Sequence, residues 1–173
     1  FQTEELNALL ESNEIFGFII IDGNGVSLYN VSGSNKEKLA RIDVTLTSKT
    51  RRGGQSALRF SRLREEQRHN FVRKAAELCK QKFIEEDKPN VKGLIIAGSA
   101  DFKTVLAESP MLDQRLKRVI VKVLDVSYGD DNGFKQAFNE SQSVISNLKL
   151  MEEQKIIEEY FNHIAKDTGK YCF

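Results

Sequence analysis

The chain has little cysteine and little histidine, two of each among 173 residues. Two thiols, Cys79 and Cys172, cannot make the disulfide framework that holds small secreted domains together. Cys79 falls on the apolar stripe of a predicted helix and reads as a buried, reduced thiol. His69 and His163 stand far apart, and neither has a second His or a Cys at ligand spacing, which speaks against a metal site. No metal and no cofactor is expected. The sequence also lacks an apolar run of about 18 residues, the least that a membrane-crossing helix requires, so no membrane partner is expected. No basic-then-apolar leader follows Phe1, and Phe1 and Phe173 read as cut points in a longer chain. What is present, 40% apolar and 29% charged residues, fits a soluble globular protein with one core and some added elements.

The formal net charge of +1 hides an uneven distribution. Between Lys49 and Lys74 stand nine basic residues, seven of them arginine, against Glu65 and Glu66. That segment carries +7 and the remainder of the chain −6. A solvated charged face is the bland explanation. The excess of arginine over lysine favours a phosphate-rich partner, because the guanidinium makes bidentate phosphate contacts and stacks on bases. Inside the block lies "KTRRGGQSALRF", Lys49 to Phe60. Two consecutive glycines cost folding entropy and return no packing. They do let a backbone approach a ligand closely, and the amide of Gln55 offers donors and an acceptor without charge. Together they suit a tip that enters a crowded, RNA-walled site, where a charged acid or base would be costly to desolvate. A flexible turn ahead of a helix is the alternative. His69, among the arginines, reads as a structural or RNA-contacting residue and not as a general base.

The hydrophobic pattern gives the elements. Thr3–Ser12 reads as a short helix capped by Thr3. Phe16–Asp22 and Val26–Val31 are strands joined by the turn "DGNG", and Leu39–Leu46 is a half-buried third strand after a polar loop. A long helix is predicted from about Ser56 to Glu86. Its second half presents Phe71, Val72, Ala75, Ala76, Cys79 and Phe83 at helical spacing and should dock on the sheet. Its first half, with Leu58, Phe60 and Leu63 as its sizeable apolar residues, should project beyond the core and carry the Gly-Gly-Gln loop at its tip. Val91–Ser99 is a short buried strand, followed by a helix with Ser99 as candidate N-cap and a second short helix with Pro110 in its first turn. Val119–Gly129 is another strand, and a helix of more than 30 residues closes the chain. The fold class is α/β (α+β): a mixed sheet in β-β-β-α-β-α-β-α order flanked by helices, its first three strands antiparallel and the later ones parallel. Asp22, Asp101 and Asp125 fall at or just past strand ends, an order reminiscent of two-metal nucleases. Turn, helix-start and loop roles account for these carboxylates better.

From Gly53 to Lys74, "GGQSALRFSRLREEQRHNFVRK" closely resembles the middle domain of the eukaryotic and archaeal class I polypeptide chain release factors. "GLIIAGSADFKTVL", "LDVSYGDDNGF" and "DTGKYCF" resemble downstream landmarks of the eukaryotic branch. The resemblance covers essentially the whole chain. Bacterial factors share the Gly-Gly-Gln but not the "SALRF" continuation, and ribosome-rescue relatives share the domain plan without the tripeptide. The resemblance implies three segments: residues 1–11 as the end of a stop-codon-reading domain, 12–145 as the middle domain, and 146–173 as a linker helix and the start of a C-terminal domain. It implies translation termination in the cytoplasm. Gly53, Gly54 and Gln55 would enter the ribosomal peptidyl transferase centre, where Gln55 helps position the water that hydrolyses the peptidyl-tRNA ester. Lys49, Arg51, Arg52, Arg59, Arg62, Arg64 and Arg68 would anchor the arm on large-subunit rRNA and the tRNA acceptor end. Gln55 would be N5-methylated by a glutamine methyltransferase, and a translational GTPase would deliver the complete factor. No general base is evident, so the isolated piece is not expected to be a free-standing enzyme. One position departs from the family pattern: Thr50-Arg51 precede Arg52 where a His-Gly pair is usual, losing a glycine hinge and gaining a charge. A non-catalytic RNA-binding or ribosome-rescue module is the alternative function.

Overall fold

The computed structural model of the chain describes residues 14–33, 35–46, 54–99 and 101–165, with the backbone alone for Gln55, His163 and Ala165. The expected Thr3–Ser12 helix, Lys49–Gly53 and Cys172 lie outside the described residues. Two compact units divide the chain between Ala137 and Phe138.

The first unit is built on a five-stranded sheet whose strands lie side by side in the order Asn35–Asp43, Gly25–Ser32, Ile15–Ile21, Gly93–Gly98, Ile120–Asp125. Strand β1 (Ile15–Ile21) is buried at every residue after Ile15, as a central strand covered on both faces must be. It pairs antiparallel with β2 (Gly25–Ser32), Ile19 opposite Leu28 and Ile21 opposite Val26. Asp22 makes the connecting turn: its Oδ1 accepts from the backbone N–H groups of Asn24 at 2.9 Å and Gly25 at 2.8 Å, the habit that fits aspartate to turns. On the other side, β1 runs parallel to β6 (Gly93–Gly98), which runs parallel to β7 (Ile120–Asp125).

Strand β3 (Asn35–Asp43) begins earlier than expected and stops before Val44. Asn35, Lys36, Glu37 and Lys38 are exposed and carry no apolar signal. They are strand because they complete a ladder with β2 across a tight hairpin in which Gly33 adopts φ 58°, a conformation that favours glycine. A two-stranded ribbon, β4 (Ile84–Glu85) with β5 (Lys88–Pro89), was not foreseen. Its turn is made by Glu86 and Asp87 at positive φ. Arg115 Nη1 holds it, donating to the Asp87 carbonyl at 2.9 Å and carboxylate at 2.6 Å.

Helix α1 (Gln55–Phe83) buries the predicted stripe in full: Phe71, Val72, Ala75, Ala76, Cys79 and Phe83 pack with Ile19, Ile21, Leu28, Leu94 and Ile96. Burial pushes the Cys79 thiol up to about 12, so it is protonated and unreactive at neutral pH. Helices α2 (Phe102–Glu108) and α3 (Gln114–Arg118) add Leu106 and Leu116 to the same core. The start of α2 falls after Ser99, with Asp101 at its N-cap and no side-chain cap bond. Pro110 sits in a turn outside α3, because Asp113 supplies the cap by accepting from Arg115 N–H.

The opposite face of the sheet receives the first turns of α4 (Asp130–Ala165), the foreseen long helix. Phe134 stacks on Tyr29 with centroids 4.2 Å apart and meets Phe18 edge to face at 5.4 Å. Asp130 and Asp131 open this helix, where carboxylates complement the dipole, and bind across to the sheet. Lys38 and Arg41 both pair with Asp130. Asp131 accepts from Tyr29 Oη at 2.6 Å and pairs with Lys38 at 3.1 Å. The Tyr29 hydrogen bond, with Lys38 next, holds the Asp131 carboxyl below the usual range. The second unit, from Phe138 onward, continues as helix, with Leu150, Met151, Ile156, Ile157, Phe161 and Ile164 exposed along it.

Two outcomes are expected in urea titrations. Phe83→Ala should cost about 3–5 kcal/mol by opening a core cavity, whereas Leu58→Ala should stay within about 0.5 kcal/mol. For Asp131, a depressed folded pKa contributes stability that is present above the unfolded value of about 3.9 and lost as pH falls through the folded one. The stability gap between wild type and Asp131→Asn should therefore close as pH drops below about 4. A gap independent of pH would refute the charge-assisted bond.

Candidate nucleic-acid interface

Local chemistry makes α1 an arm. Arginine, glutamate and glutamine are good helix formers, so the helix continues well past the point where burial stops. From Ser56 to Asn70 no side chain is buried; burial begins at Phe71. At 1.5 Å per residue the stretch without a buried side chain is on the order of 23 Å long, and its inner end, from Glu65 to Asn70, still borders the body. Leu58, Phe60 and Leu63 are 69%, 50% and 42% exposed, leaving apolar surface among the basic groups.

The helix begins at Gly54, exposed, with φ 143° and ψ 174°. That region of backbone space is essentially open to glycine alone. A Cβ there would meet no atom within 4 Å, so the demand for glycine comes from the backbone and not from crowding. The Gly54 carbonyl accepts the first helical bond from Ala57 N–H at 2.9 Å. No side chain caps the start and no acid stands in the first turn. The orphan N–H groups and the positive end of the dipole are thus left uncompensated by the helix itself, and anions are favoured there.

The structure spreads the predicted arginines over different environments. Arg59 and Arg62 are exposed; Arg64 and Arg68 are half-buried. The guanidinium of Arg68 lies over the Phe102 ring, 4.5 Å from its centroid, and its Nη2 is 3.8 Å from Asp101 Oδ2. Arg73, part of the basic block, reaches Glu77 at 4.0 Å. His69 is exposed, on a groove of about 430 Å³ shared with Glu65, Val72, Val105 and Met111. Lys49, Arg51, Arg52 and Gly53 lie outside the described residues, as does the Gln55 side chain. Among the described residues no group of three or more His, Cys, Asp or Glu could hold a metal ion. Asp22 serves the β1–β2 turn, while Asp101 and Asp125 pair with Arg68 and Lys103. No described helix is long and apolar enough to cross a membrane.

Sequence reasoning missed the partners of Arg68. A signal existed: Arg68 precedes Val72, Ala75 and Cys79 by four, seven and eleven positions, which extends the core stripe by one more turn.

The family described as eRF1 domain 2 matches residues 15–147. Over all 173 residues the chain is 57% identical to the eukaryotic peptide chain release factor subunit 1 of Dictyostelium discoideum, covering 39% of that protein. It is 53% identical to the protein of the same description from Saccharomyces cerevisiae, covering 40% of it. The chain therefore spans about two fifths of the length of these curated relatives. Among solved structures, an archaeal translation termination factor, aRF1, matches 96% of this chain and 46% of its own with a TM-score of 0.66 at 25% identity. Archaeoglobus fulgidus Pelota shares the fold, with a TM-score of 0.60 at 16% identity over 96% of this chain and 45% of its own.

Because the strain at Gly54 is local and its surroundings are open, Gly54→Ala should cost about 1–3 kcal/mol at the helix start alone. Amide exchange at Ala57 should accelerate by one to two orders of magnitude while the global unfolding midpoint barely moves. Unchanged exchange at Ala57 would show that the helix start tolerates a side chain.

Proposed function

Since the chain belongs to the eRF1 domain 2 family, we propose that it is the part of a translation termination factor that promotes hydrolysis of the peptidyl-tRNA ester at stop codons. The observation that carries this reading is the overhang itself: an exposed helix whose tip is an uncapped Gly54 and whose flanks carry Arg59 and Arg62. A projection with nothing to bury is costly to order unless a partner receives it, and its charge fits an RNA-walled partner. In this reading the ribosome is that partner. Lys49, Arg51, Arg52, Arg59, Arg62 and Arg64 hold rRNA and the tRNA acceptor end, mainly through phosphates, whereas Arg68 is turned to Phe102 and Asp101.

Gly53 and Gly54 bring the backbone close to the ester, where the Gln55 N–H can stabilise an oxyanion or the leaving hydroxyl. The neutral Gln55 amide orients water and keeps poorer nucleophiles out, and N5-methylation would tune its donors without adding charge. With no base of its own, the domain shares its chemistry with the ribosome and is not a free-standing enzyme. A GTPase that delivers the factor, a methyltransferase acting on Gln55, and a cytoplasmic location follow from the same reading.

Peptide release from stop-codon-programmed ribosomes by the full-length factor tests it, with binding followed in parallel. Gly54→Ala should bind as wild type does and lose about 10²-fold or more in release rate. Arg59→Ala should weaken binding and lower the dependence of log affinity on log salt by about one. Release that survives Gly54→Ala would instead support a non-catalytic RNA-binding or rescue module.

A further inference from the structure

Resting on the release reading, we propose that Arg68 is a positioning residue. Stacked on Phe102 and paired with Asp101, it braces the outer half of α1 and thereby aims the helix start at Gly54.

Arg68 lies on the body side of α1, in line with buried Val72, Ala75 and Cys79. At about 100° per residue, Arg59 and Arg62 point away from that line. The brace is continuous with the core: the guanidinium covers the Phe102 ring at 4.5 Å, and that ring meets buried Phe71 edge to face with centroids 5.6 Å apart. Asp101, beside Phe102 at the start of α2, adds the ion pair at 3.8 Å. From Arg68 out to Ser56 no side chain is buried, so this contact lies close to where the arm leaves the body. From Arg68 to Gly54 the helix is roughly 21 Å long, and a tilt of about 5° at the brace carries the tip about 2 Å sideways. A misplacement of about 1 Å in a reacting group can cost on the order of 10²-fold in rate. An arm whose tip must act at one spot therefore needs its angle fixed near its root. A planar cation flat on a ring fixes angle better than a lysine ammonium, which is a point charge on a flexible stem.

The test uses the full-length factor with Phe102→Leu, which keeps apolar volume and loses the ring face, Arg68→Lys, which keeps charge and loses the plane, and the double variant. Two quantities are measured at a temperature where all are folded. One is release, separated into the maximal rate and the ribosome concentration for half-maximal rate. The other, off the ribosome, is the distance distribution between spin labels at Leu58→Cys and Glu37→Cys, with the other reactive cysteines replaced. Each single variant should lower the maximal rate about tenfold, leave the half-saturating concentration within about twofold, and broaden the distance distribution; the double should be no worse than the worse single. A maximal rate and a distribution both unchanged would overturn the proposal. So would a loss confined to the half-saturating concentration with Phe102→Leu silent, the pattern of a plain phosphate contact. If the wild-type factor releases no peptide, the release reading falls by itself, and the distance distribution alone decides the brace: broadening supports it, an unchanged width refutes it.

Discussion

The packing of Phe71, Val72, Ala75, Ala76, Cys79 and Phe83 against β1, β2 and β6 does two jobs at once. It closes one face of the sheet, and it roots a helix much longer than that face requires. The fit is tight where it ends. A Cβ on Gly17 would stand 2.9 Å from Phe83 Cε1 and 2.8 Å from Leu94 Cδ1, closer than carbon atoms pack, so the ring of Phe83 uses the space that glycine leaves on the central strand. The exposed half of α1 is a cantilever, and its stiffness is borrowed from this seat.

The other face is closed by opposite means. Charged residues of the edge strand, Lys38 and Arg41, reach Asp130 at the start of α4, while Tyr29 reaches Asp131 and its ring stacks on Phe134. Lys38 also serves the edge of β3 together with its neighbours. Exposed Lys36, Glu37 and Lys38 discourage another strand from adding there. One face thus relies on shape and the other on paired charge, and only the second responds to acid.

Legibility in the sequence followed the kind of force at work. The stripe on α1, the buried strands and the parallel and antiparallel segments of the sheet could be read because burial leaves a period in the residues. The first half of β3 could not, since Asn35 to Lys38 are strand through backbone pairing and carry nothing apolar. The β4–β5 ribbon, two residues a side, depends on Arg115 from nearly thirty residues downstream, and the start of α3 on which carboxylate wins the cap. At the candidate site the Gly-Gly-Gln stood out as a pattern with no folding purpose. The stacking of Arg68 on Phe102 did not, because a cation within a basic block reads as surface even when it sits on the core line.

The absence of burial from Ser56 to Asn70 has a consequence for how this segment can change over time. A substitution in a core answers first to the fold and only afterwards to function, so the two pressures are entangled there. At the exposed positions of the arm, such as Leu58, Arg59, Phe60 and Arg62, a substitution costs the fold almost nothing, unlike the helix start at Gly54 and the half-buried Arg64, Gln67 and Arg68. The residue found at each exposed position answers to something other than the fold, and on the release reading variation among relatives along this stretch would map the shape of the surface that receives the arm.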